Sequence, residues 1–225
     1  MKKFELTAES KISAFGKKLF RIKALISFGS VEEGETGGWV EKEDNLSQSG
    51  NAWVFDNAEV SDNARVFGNA RVFGNARVFD NAEVSDNAWV FGNARVSYNA
   101  RVFGNARVFG NAEVSDNAWV FGNARVSYNA RVSGNAEVFD NAWVFGNAWV
   151  FDNADYATIH GFGTQFRTTT FFRCKDKQVK VSCGCFYGTI PEFREQVKNT
   201  RKGKIAEEYL MIADLMEKHF AEEAK

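Results

Sequence analysis

From Asn51 to Asp152 the chain repeats one six-residue phrase, Asn-Ala-x-Val-(Phe/Ser)-(Gly/Asp/Tyr), seventeen times without an insertion or a skipped residue. Few folds accept so strict a period. A disordered low-complexity tract does not hold an aliphatic residue at fixed spacing, and a helix would not place apolar residues at intervals of two and four. Along a short strand, alternation sends Ala and Val to one side and x to the other, with the following Phe or Ser pointing out near the corner. Valine is β-branched and suits a pleated surface. The Gly/Asp-Asn pair supplies the corner, because these residues tolerate the positive φ of a tight turn. One hexad cannot bury its own Val and Ala, so stacked hexads must share a continuous core.

Read from its valine, the hexad resembles the hexapeptide repeat of left-handed β-helices. The resemblance implies an all-β solenoid, a left-handed triangular parallel β-helix in which three hexads make one coil and each flat side is a strand centred on Ala-x-Val. Seventeen hexads then give about 5.7 coils, a prism roughly 27 Å long at a rise of about 4.8 Å per coil. An interior of Val and Ala alone is packed. Function is therefore expected on the outside or at the ends.

Three units are expected: an N-terminal β cap over 1–38, the β-helix over 39–158, and a C-terminal hairpin plus two helices over 159–225. The apolar segments before Gly34 read as a meander that covers the first coil, where an open end would expose unpaired backbone. Gly37-Gly38-Trp39-Val40 and Asn45-Leu46-Ser47 read as a degenerate first coil, with Leu46 in the Ala place and Gln48 in the Val place. Together with the hexads, this segment resembles uncharacterised bacterial and bacteriophage β-solenoid proteins, some of them labelled acyltransferases by their repeats alone. That likeness covers about 31–152 and implies a fold, with no established activity.

Past Asp152 two strands are expected over 166–174 and 178–186, joined across Asp176-Lys177, with Phe172, Cys174, Val179, Val181, Cys183 and Cys185 on one face. Thr189-Ile190-Pro191-Glu192 reads as a capping box that starts a helix. A second helix over 204–220 places Ile205, Tyr209, Ile212, Ala213, Met216 and Phe220 on one stripe.

Reactive groups are sparse. The repeat holds eight Arg against eleven Asp and Glu, a net of −3 inside a chain whose net is −1, which argues against a basic stripe for nucleic acid. The start has no apolar run behind its lysines and no stretch approaches membrane length, so a cytoplasmic protein is expected. Three Cys, an odd number, fit a reducing compartment. Hexapeptide acyltransferases, as a family, use a histidine on or beside the coils. His160 and His219 are the two histidines here, neither in the hexads, and His160 is the weak candidate for a general base. γ-Class carbonic anhydrases share the fold but need three histidines for zinc. Cys174, Cys183 and Cys185 invite a zinc reading, yet buried thiols acting as small hydrophobes explain them better. No cofactor and no metal are expected.

Every third hexad falls on the same side of the prism. The first side carries Trp53, Arg71, Trp89, Arg107, Arg125 and Trp143, with Phe55, Phe73, Phe91, Phe109 and Phe145 beside them. The second carries Glu59, Arg77, Arg95, Glu113, Arg131 and Trp149, with Ser61, Ser97, Ser115 and Ser133. The third carries Arg65, Glu83, Arg101, Trp119 and Glu137, with Phe67, Phe103, Phe121 and Phe139. Aromatic ladders of this extent mark interaction surfaces, unless the rings stack on one another beneath arginine stems. A homo-oligomer is expected through the first side (Trp53, Trp89, Trp143, Phe55, Phe73, Phe91, Phe109), with the Glu59/Ser61/Ser97 side left in solvent. Trimers are what the resemblance suggests, and a protein partner is the second possibility. The x letters also repeat every thirty residues, out of step with the coil, which speaks of gene duplication rather than selection for one repeated ligand site.

Overall fold

The computed structural model describes residues 2–221; the outermost positions of the expected terminal units, 1 and 222–225, lie outside the described residues. Each x-Val pair of the hexads is a two-residue strand, from β4 (Trp53–Val54) to β20 (Trp149–Val150). Each strand pairs in parallel with the one three hexads on, Trp53 opposite Arg71 and Val54 opposite Val72. Three parallel sheets result, so the chain is a three-sided β-solenoid of about 6 turns. Every Ala and Val of the hexads is buried, and these small side chains form the single core that one hexad could not make alone.

The corners divide their work. The last residue of each of the first sixteen hexads takes φ between +53° and +73°, a conformation glycine adopts freely and Asp more readily than bulkier residues. Two tyrosines, Tyr98 and Tyr128, are held there as well. Asp earns the place through its carboxylate. Asp56 accepts the Gly74 N–H of the next coil at 3.0 Å, and Asp80 accepts that of Tyr98 at 3.1 Å. Asn was expected to share the turn conformation; instead it builds three amide ladders. Asn51 Nδ2 donates to Asn69 Oδ1 at 3.0 Å, Asn93 to Asn111 at 3.0 Å and Asn81 to Asn99 at 3.1 Å, each partner one coil away.

At the N-terminal end β1 (Phe4–Ile12), β2 (Lys18–Ala24) and β3 (Thr36–Val40) extend the second side, the first two pairs antiparallel and β3 parallel to the first coil. Gly37 and Gly38 permit that approach, since a Cβ on Gly37 would lie 2.6 Å from the Val54 carbonyl oxygen and one on Gly38 2.8 Å from that of Ala58. The degenerate first coil differs from expectation by two residues. Ser47 N–H bonds the Val66 carbonyl and Leu46 bridges Val66, so Leu46 fills the Val place. Gln48 is freed to bind β1: its Oε1 accepts Lys3 N–H at 2.8 Å and its Nε2 donates to the Phe4 carbonyl at 3.2 Å.

At the other end the expected hairpin is the middle pair of a four-stranded antiparallel sheet, β21 (Tyr156–Phe162), β22 (Arg167–Arg173), β23 (Val179–Cys183) and β24 (Phe186–Thr189). Phe171 lies opposite Val181 and Arg173 opposite Val179. That register is one residue from the expected pairing, and one residue flips every side chain to the other face. Phe172 and Cys174 therefore join the solenoid core, while Phe171, Val179, Val181 and Cys183 pack against the helices. Helix α1 (Ile190–Thr200) starts at the expected Thr189/Glu192 capping box, and α2 (Gly203–His219) buries Tyr209, Ile212, Ala213 and Met216. No helix among the described residues is long and apolar enough to cross a membrane.

Candidate functional site

The outward rows form ladders whose rings repeat at the coil spacing. On the first side Phe73, Phe91 and Phe109 stack with centroids 4.6 and 4.9 Å apart and planes within 3°. Trp89 meets Phe73 edge-on at 6.0 Å, and the guanidinium groups of Arg71 and Arg107 lie 5.7 and 4.7 Å from the Trp89 ring. Offset stacks and cation–π contacts of this kind stabilise rings in place. All four rings are half-buried.

Both ends of this side are covered by the chain itself. Trp53 is fully buried, with Phe4 and Phe28 edge-on at 6.1 and 5.3 Å, which removes it from the expected contact surface. The N-terminal cap needs an apolar anchor at the first coil, and the Trp53 ring provides it; Phe55 packs half-buried against the same core. The ladder breaks at the fully buried Ser127, whose Oγ accepts the Trp143 indole N–H at 3.2 Å. Phe145 follows beneath Tyr187 and Phe172, at 4.5 and 5.8 Å.

The second side is not left in solvent at its N-terminal half. Lys11 pairs with Glu59 at 2.7 Å, Lys17 with Asp62 at 2.5 Å, and Phe15 packs on Phe79 at 5.0 Å, because the β1–β2 hairpin lies over these coils. Lys17 gains a hydrogen bond and the charge of Asp62, which raise its pKa. Ser61 and Ser97, expected in solvent, are buried at 5 % and 6 % exposure.

The third side carries a second ladder, half-buried at Phe103 and Phe121 like the first and more exposed at two rings. Phe103, Phe121 and Phe139 stack at 5.0 and 5.3 Å, Trp119 meets Phe103 edge-on at 6.1 Å, and Arg101 lies 5.5 Å from the Trp119 ring. Trp119 and Phe139 are each 37 % exposed. The ring count that favoured the first side leaves out what the caps cover. The exposed Tyr98 and Tyr128 were missed, although their place in the Gly/Asp column was the signal.

His160 stands on β21, outside the coils, exposed, with Nδ1 3.2 Å from Thr168 Oγ1. Cys174 is buried beside the last coil and its thiol is pushed up to about 11, first by burial and then by Asp176. Cys183 and Cys185 lie at the β23–β24 turn, away from it across the sheet.

A family model described as YdcK Beta solenoid repeat matches residues 100–116. Over 63 residues the chain is 35% identical to the protein named "Uncharacterized acetyltransferase YdcK" of Escherichia coli (strain K12), an alignment covering 25% of this chain and 19% of that protein. The chain thus spans about a fifth of the length of the curated relative it matches.

Proposed function

We propose that this hexapeptide-repeat β-solenoid works as a non-catalytic scaffold or binding protein that self-associates through an outer aromatic face. The observation that carries the reading is the third side: a ladder with Trp119 and Phe139 each 37 % exposed, which the C-terminal unit meets at its last rung, where Tyr156 stands edge-on to Phe139 at 6.4 Å. Its x row, Arg65, Glu83, Arg101, Trp119 and Glu137, offers both signs of charge to a facing copy. The first side, where the contact was expected, keeps Trp89, Phe73, Phe91 and Phe109. Its x row, however, has Arg71, Arg107 and Arg125 and no carboxylate, so two such sides would bring like charges together. A trimer is the assembly that the family resemblance suggests. A phage origin, with a host component as the wider partner, belongs to the same proposal and rests on the likeness of 31–152 to phage solenoids.

Light scattering tests it. The wild type at micromolar concentration is expected above monomer mass. F103S/F121S/F139S is expected to reduce it to a monomer, and F73S/F91S/F109S to leave the mass unchanged. Serine already stands in this column at Ser85, so the variants preserve the fold. A monomeric wild type, or a third-side variant of unchanged mass, overturns the proposal.

The name of the Escherichia coli relative suggests a second reading, an acyltransferase of the hexapeptide type using acyl-coenzyme A, with His160 as base. Calorimetric titration with acetyl-coenzyme A separates the two: the scaffold reading expects no heat of binding, the enzyme reading a saturable one that reacts to H160A.

A further inference from the structure

The C-terminal unit holds a half-open cavity of about 480 Å³ between the helix-facing side of its sheet and helices α1 and α2. This volume lies within the range of small-molecule sites, roughly 300–1,000 Å³. Phe162, Phe186 and Phe193 give it an aromatic floor. Arg167 and Arg201 stand in its wall, and no Asp or Glu lines it.

The missing carboxylate is informative because the unit pairs its other arginines. Arg173 meets Asp155 at 3.2 Å, and Arg194 meets Asp214 and Glu217 at 2.7 and 2.6 Å. Neither Arg167 nor Arg201 has an ion pair among the described residues. Around them the chain makes room. Gly184, at φ +60°, lies where a Cβ would come within 2.6 Å of Arg167 Nη1, and a Cβ on Gly163 would collide with the Tyr209 hydroxyl. That hydroxyl donates to the Phe162 carbonyl at 3.3 Å, and its pKa is raised to about 12, chiefly by burial, so it stays a neutral donor. Beside the cavity Phe166 is held at φ +48° and is 64 % exposed, a conformation costly for a bulky residue and common where a ligand is gripped.

We propose that this cavity binds a small aromatic oxyanion, a carboxylate or phosphate whose oxygens meet Arg167 and Arg201 and whose flat body lies against the half-buried Phe162 and Phe186. Guanidinium groups bind oxyanions through charge-assisted, often bidentate hydrogen bonds. The carboxyl end of α1 borders the same space at Thr200 and carries partial negative charge, so anion binding requires both arginines.

Cys185, exposed on the cavity wall, serves as reporter. The full chain is alkylated with iodoacetamide, a neutral reagent, in the presence of phenyl phosphate, benzoate or inorganic phosphate, and binding is followed by calorimetry. Phenyl phosphate is expected to slow Cys185 alkylation saturably, and R167Q/R201Q to weaken its binding by about tenfold or more. The variant's thermal melt is expected to match wild type, since neither arginine is ion-paired among the described residues. Alkylation indifferent to phenyl phosphate and benzoate, or equal affinity in the variant, overturns the site. Equal protection by inorganic phosphate overturns its aromatic half.

Discussion

At its N-terminal end the solenoid presents backbone carbonyls, and the chain meets them with donors: Lys3 Nζ on Ala52 O at 2.9 Å, Asn45 Nδ2 on Ala64 O at 2.9 Å, and the Trp39 N–H on Ala58 O at 2.9 Å. At its C-terminal end the coil presents N–H groups, and acceptors meet them: Thr170 Oγ1 on Trp143 N at 3.1 Å and Asn153 Oδ1 on Glu137 N at 2.8 Å. Open sheet edges demand satisfaction of this kind, just as helix ends do. The two ends also differ in kind. The N-terminal strands continue the second side and lie wholly on the solenoid core, whereas the C-terminal sheet lends Tyr156, Phe172 and Cys174 to that core and builds a second one between its other face and the helices. One cap is part of the rod; the other is a unit docked on it.

The largest expected effects break that contrast most plainly. V102D places an unpaired charge in the shared core and should abolish folding of the rod and its N-terminal cap together, at a loss above about 4 kcal/mol. V181D does the same to the second core. It should erase the helical circular dichroism while the β signal survives, with fraying no further than the last coil.

Next comes Lys3, buried at 2 % exposure, with its ammonium 4.9 Å from the Phe28 ring centroid. K3M keeps the stem and removes the donor, leaving the Ala52 carbonyl unmet at a cost of about 1–3 kcal/mol in denaturant melts. Burial lowers the Lys3 pKa to about 8, below its value of 10.5 in the unfolded chain. Between those values the unfolded state binds more protons, so the contribution of Lys3 to stability rises with pH from about 8 to 10.5. K3M should remove that rise. At the opposite end, T170V leaves the Trp143 N–H without an acceptor, about 1–3 kcal/mol felt where the C-terminal unit docks.

How far the sequence exposes each region follows from the same contrast. The rod is local: each hexad repeats the same environment, so the Val/Ala core follows from the period, and the three sides are what the hexapeptide resemblance implies. The caps are not. Nothing near Trp53 announces that Phe4 and Phe28 will cover it, because that contact spans the length of the cap. The expected face of 172, 174, 179 and 181 failed because the Asp176-Lys177 turn sets Arg173, not Phe172 or Cys174, opposite Val179. The cavity with Arg167 and Arg201 joins a strand to a helix end and has no local motif. The smallest effect checks the rod's surface. Arg101 meets Glu83 at 3.5 Å with both side chains partly in water, so R101E should shift the melt by less than about 1 kcal/mol.

Hydrogen exchange under native conditions, resolved by peptide, tests the two-unit account most directly. Residues 3–150 are predicted to open as one block, N-terminal strands with the coils, and residues 156–220 to open earlier at a lower free energy. A single opening of the whole chain, or N-terminal strands exchanging before the coils, would contradict it.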